Sequence, residues 1–135
     1  MQQNTPIRIV LAMPGVGGEA PTPLVQALSE AGIETFTGPL DTIEQVVETA
    51  IDKNADAICL SSVQGEHNTL FARLFEMLQQ RATREITVFG GGIIPVSDMA
   101  ELKKLGVAEV FSPGTSLPAV ARWVKENVRQ AADAR

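Results

Sequence analysis

Five short, apolar runs alternate with five segments whose apolar residues recur at helical spacing, and this strict alternation constrains the fold more than any other property of the chain. Residues 7–13 and 57–61 carry almost no polar side chain, as strands buried on both faces do. Residues 86–89 and 107–111 read as further strands, while 33–37 alternates polar with apolar and is predicted nearer a sheet edge. Between them, Thr22 is predicted to cap a first helix with Pro23 in its first position, and Gly32 to stop it. Thr42 caps a second helix with the apolar face Ile43, Val46, Val47, Ala50 and Ile51. A third spans about residues 68–81 on Leu70, Phe71, Leu74, Phe75 and Leu78. Ser97 caps a short fourth with Met99, Leu102 and Leu105, and the fifth begins near Ser116.

Strict alternation of buried-type strands and helices means a parallel sheet covered on both faces. Right-handed crossovers restrict the topology, and five units are too few for an eight-fold barrel. The predicted class is α/β: a flavodoxin-like (Rossmann-like) doubly wound five-stranded parallel sheet of order 2-1-3-4-5. Residues 1–135 are read as one domain with a core of about 7–128 and a frayed carboxyl tail. Ligands of such sheets bind outside the carboxyl ends of the strands, here between the first and the third. The glycine- and proline-rich stretch 13–23, MPGVGGEAPTP, follows the first strand and is expected to face that crevice.

Composition narrows the partners. A formal net charge of −5, no Tyr and a single Trp placed far from any loop argue against nucleic acid. No apolar run approaches the ~20 residues that span a bilayer, and the opening MQQNTP lacks a signal-peptide layout, so no membrane partner and a cytoplasmic location are expected. Cys59 is the only cysteine, which rules out an internal disulfide, and its apolar surroundings suggest an inert thiol.

The ordinary chemistries of the fold are not spelled out. Gly15 to Ala20 resembles GxGxxA, but Pro21 and Pro23 delay the helix that should open inside the glycines, and no acid ends the second strand. No Lys follows the glycines as a phosphate loop requires. The first and third strands end in Met13-Pro14 and Ser61-Ser62, without the carboxylates a phospho-receiver needs for Mg²⁺. The lone His67 has no acid partner beyond adjacent Glu66 and reads as a cap or packing residue. No catalytic residue and no metal ligand emerge, and the chain reads as a binder.

Small groups collect at the predicted crevice: Ser61, Val63, the glycines 90–92, and Gly114-Thr115. Glycines let a flat ligand lie against backbone and hydroxyls can bond a heterocycle, but turns use the same residues, and spacing leaves both readings open. The run ITVFGGGIIPVSDMAELKKLGVAEVFSPGT, together with SSVQGEHNTLFARLFEML and GPL at 38–40, resembles the cobalamin-binding domain of acyl-CoA mutases. It is similar both to methylmalonyl-CoA mutase and to the free-standing small subunits of isobutyryl-CoA and 2-hydroxyisobutyryl-CoA mutase, over nearly the whole chain.

The resemblance implies that the dimethylbenzimidazole tail of cobalamin occupies a slot between the first and third strand regions. It assigns Ser61 and Val63 to the lining of that slot, Gly91 and Gly92 to close approach of the tail, and Gly114 and Thr115 to the turn beside it. Gly17 and Gly18 of the opening loop complete the implied cofactor-binding set. The family's D-x-H-x-x-G, whose histidine ligates cobalt, is absent: aligned on Met13, its positions hold Val16, Gly18 and Pro21. No shift of alignment helps, because the loop contains no His, and His67 matches a different family histidine. The resemblance thus implies a cobalamin-binding small subunit or carrier, holding adenosylcobalamin without a histidine ligand. It would act beside a large acyl-CoA-binding mutase subunit, with a homo-oligomer also open, and would not catalyse alone. The alternative is a degenerate domain that no longer binds corrinoid and serves as a structural or regulatory partner. A small enzyme or sensor using the crevice for another nucleotide-like ligand has only the weak GxGxxA behind it.

Overall fold

The computed structural model describes residues 7–12, 22–37, 42–62, 67–81, 86–92, 96–111 and 115–128. Five strands, β1 (Arg8–Ala12), β2 (Glu34–Phe36), β3 (Ala57–Ser62), β4 (Thr87–Gly92) and β5 (Val110–Phe111), form one sheet of order β2-β1-β3-β4-β5. All four pairings are parallel. Helices α1 (Thr22–Glu30), α2 (Ile43–Asp52), α3 (His67–Arg81), α4 (Val96–Leu105) and α5 (Leu117–Asn127) connect and follow them. The predicted class and strand order are those observed.

Alternation along the buried strands divides the core into two layers. Val10, Ala12, Ile58, Leu60 and Val88 pack beneath α2, α3 and α4 with Val46, Val47, Phe71 and Leu74. Ile9, Leu11, Ala57, Cys59 and Phe89 face the other way, onto Leu28 of α1 and Val120, Ala121 and Val124 of α5. The helices are fixed at their ends by short-range chemistry. Thr42 and Gln45 form a reciprocal capping box, 3.2 Å and 3.1 Å, and Ser116 accepts from the Ala119 amide at 3.2 Å. Helices α1, α2 and α4 each end in the same motif: Ile33, Ala55 and Val107 donate back to Leu28, Ala50 and Leu102, and the turning residues Gly32, Asn54 and Gly106 have positive φ.

Several boundaries differ from the sequence reading. Thr22 is the first residue of α1 and Ser97 the second of α4, one and two positions later than a cap. Ile51 and Leu105 are 38% and 44% exposed, because α2 and α4 present only a narrow stripe to the sheet, filled by Val47, Ala50 and Leu102. Strand β5 is two residues long; residues 107–109 approach it as extended chain, with Ala108 donating to Val88 and Gly90 to Glu109. The largest revision concerns the fourth strand, expected to end at residue 89, which runs on through Gly90, Gly91 and Gly92, paired with Leu60, Ser61 and Ser62.

Candidate functional site

At the carboxyl edge of the sheet the last described pair of β1 is Ala12 with Leu60, and that of β5 is Phe111 with Gly91. The last two described rungs of the β3–β4 ladder at this edge form a ledge, Ser61 opposite Gly91 and Ser62 opposite Gly92. Neighbouring strands lie about 4.8 Å apart, so one rung brings Ser61 and Gly91 into a common floor. This ledge adjoins the gap between β1 and β3, where the winding reverses: the chain passes from β1 to β2 on one side and then crosses back to β3 on the other, the switch point at which open α/β sheets bind ligands.

The two glycines of this floor whose surroundings are defined have different causes. A β-carbon on Gly90 would lie 2.4 Å from the ring of Phe71 and 2.7 Å from the Leu60 carbonyl oxygen, so Gly90 is required by the packing of α3 on β4. Its inclusion among the crevice groups is corrected accordingly. A β-carbon on Gly91 would meet only Phe111 among the described residues, 3.0 Å from its carbonyl oxygen and 3.7 Å from its own β-carbon. Gly91 alternates with Phe89 and so lies on the face covered by α1 and α5, half-buried, with bare backbone where any other residue would project a side chain.

Of the sequence-predicted site residues, Ser61, Gly91 and Gly92 are brought together on the ledge. Thr115 is half-buried and immediately precedes the Ser116 cap of α5, four residues beyond the end of β5. Gly17, Gly18, Val63 and Gly114 lie outside the described residues. The sequence reading missed an aromatic group beside the floor. Phe111 meets Phe89 and Trp123 edge-on, with centroids 6.1 Å and 5.6 Å away, and Phe89 and Trp123 lie 5.1 Å apart. Trp123 is therefore not remote from the strand ends, as its place within a helix suggested. Its partners come from other segments, and the only hint in the sequence is that Trp123 falls next to the apolar stripe of Val120 and Val124.

The remaining polar chemistry serves structure. Cys59 is buried within β3, and loss of solvent pushes its thiol up to about 12, which makes it a poor nucleophile. Asp56, at the opposite edge of the sheet, accepts from the Arg8 amide at 2.9 Å. On the exposed surface Arg73 donates to Glu44, and that hydrogen bond holds the Glu44 carboxyl below its ordinary value while tying α3 to α2. Among the described residues no group of three or more His, Cys, Asp or Glu is arranged to hold a metal ion, and no helix is long and apolar enough to cross a membrane.

Comparisons with known proteins agree with this geometry. The B12 binding domain family matches residues 23–121, which include the ledge and the first turn of α5. The chain is 34% identical over 128 residues to the 2-hydroxyisobutanoyl-CoA mutase small subunit of Aquincola tertiaricarbonis, covering 93% of this chain and 94% of that one. It is 33% identical over 109 residues to methylmalonyl-CoA mutase of Cereibacter sphaeroides, covering 80% of this chain but only 15% of that much longer protein. In structure it is similar to a cobalamin-binding protein from Desulfitobacterium hafniense, with a TM-score of 0.72 at 17% identity over 92% of this chain and 60% of that one. An orphan response regulator of H. pylori has the same fold, with a TM-score of 0.67 at 13% identity over 91% of this chain and 97% of that one. Family match and relatives together place the chain in the B12 binding domain family.

Proposed function

We propose that this chain is the cobalamin-binding subunit or carrier of an acyl-CoA mutase, and that it holds the corrinoid by its nucleotide tail without a histidine ligand to cobalt. The observation that carries this reading is the Ser61–Gly91 rung at the switch point, where one strand offers a hydroxyl residue and its neighbour offers backbone with no side chain. A planar heterocycle can lie against such a floor at van der Waals distance, and the Phe111 edge beside it is apolar. Gly92 on the next rung and Thr115 at the start of α5 belong to the same proposed slot, with Val63, Gly114, Gly17 and Gly18 assigned to it by the family pattern. Bound adenosylcobalamin would supply the radical chemistry of a mutase; this chain would bind and orient it. A mutase small subunit that covers the same length supports a separate large acyl-CoA-binding subunit as partner.

The missing cobalt-ligand motif favours a second reading, in which the domain has lost the corrinoid and acts as a structural or regulatory partner. One experiment separates the two. The purified protein is mixed with hydroxocobalamin, desalted, and its visible spectrum recorded. Retention near one equivalent, with a spectrum in which neither benzimidazole nor histidine ligates cobalt, is the expected result. No retention at roughly tens of micromolar, a level at which even a modest site fills, leaves the degenerate partner.

A further inference from the structure

We propose that Trp123 is a positioning residue of the corrinoid site, acting through Phe111; this rests on the corrinoid reading above. Strand β5 is an edge strand whose described residues Val110 and Phe111 pair with Gly90 and Gly91, which offer no cross-strand side chain. Yet β5 sets one wall of the floor, because the Phe111 carbonyl oxygen stands 3.0 Å from where a Gly91 β-carbon would be. The same strand leads to Thr115 and the cap of α5. What fixes the end of β5 laterally is the Phe111 ring, wedged edge-on between Phe89 of β4 and Trp123 of α5. Phe89 sits on the strand next to the bare floor, so it cannot by itself tie β5 to the helix layer. Trp123 makes that link, and it touches both other rings. A smaller aliphatic side chain there would free Phe111 to rotate and let the wall move relative to Gly91.

The test compares the whole chain with Trp123→Leu, Trp123→Phe and Val128→Ala, which hollows the same apolar layer farther along α5 from the strand ends. Hydroxocobalamin affinity is measured by titration, thermal midpoints are recorded, and hydrogen exchange is followed at the Gly90 and Ala108 amides, which bond Glu109 and Val88 across the β4–β5 edge. Trp123→Leu is expected to weaken binding about three- to tenfold and to speed exchange at those two amides, and Trp123→Phe to recover most of both. Val128→Ala is expected to lower the midpoint while leaving affinity unchanged. If Trp123→Leu binds within a factor of about two of the unmodified chain, the positioning role is overturned and corrinoid binding stands. If the unmodified chain retains no corrinoid, both the binding reading and the role of Trp123 are overturned.

Discussion

Adjacent glycines in β4 answer to opposite faces of the sheet. Gly90 is bare because α3 lies too close, whereas Gly91 is bare on the face where the proposed slot opens. Gly90→Ala should therefore cost stability by overpacking, on the order of 1–3 kcal/mol in denaturant unfolding. Part of that cost should vanish in a Phe71→Leu background, where the ring no longer blocks the methyl, and the Leu60 carbonyl at 2.7 Å keeps the rest. Strictly additive costs would contradict the assignment of Gly90 to packing. Cys59 supplies a second check, through pH. Its thiol is raised from 9.0 to about 12 by burial, so below pH 9 it is protonated in the folded and the unfolded chain alike. Above that pH the unfolded chain ionises and the folded one does not, so stability is lost as pH rises from 9 towards 12, at a limiting slope of about 1.4 kcal/mol per pH unit. Cys59→Ala should remove that increment of slope, and equal slopes above pH 9 would show that the thiol ionises in place.

At the scale of elements, what was legible in the sequence is what a segment says about itself. Strand identity followed from runs such as 57–61 that leave no polar face, and helix ends from Gly32, Thr42 and Ser116, whose chemistry acts within a few residues. What was not legible depends on a neighbour from elsewhere in the chain. The three glycines of β4 fell outside the expected strand, 86–89, because glycine disfavours strands. They form one because β3 supplies a continuous ladder and Phe71 forbids a β-carbon at Gly90. Asn54 turns α2 with φ 54, a role that any of several polar residues at the end of that helix had equal claim to. Leu105 fits the helical period of α4 yet is exposed, since only the stripe through Leu102 reaches the sheet. The aromatic wall escaped for the same reason: Phe89, Phe111 and Trp123 belong to three elements, and only their assembly at the β5 edge gives them a common purpose.

For the whole molecule, the ledge of β3 and β4 at the switch point is where the fold, the family match and the small residues coincide. The loop after β1 carries Val16, Gly18 and Pro21 and contains no histidine. The resemblance reached the fold and the family from sequence alone because GGxIP and PGT are ordered patterns read within the chain itself. It could not show whether the slot works without the ligand loop, since cobalt ligation and tail burial are separable contributions to binding. The account's central claim is that the tail, and not the cobalt, is what this chain holds. The most direct measurement is a paired titration with hydroxocobalamin and with hydroxocobinamide, the same corrin lacking the nucleotide tail. Cobalamin is predicted to bind at least about tenfold more tightly than cobinamide, with no histidine-ligated cobalt spectrum for either. Equal binding of the two corrinoids, or binding of neither, would contradict the claim.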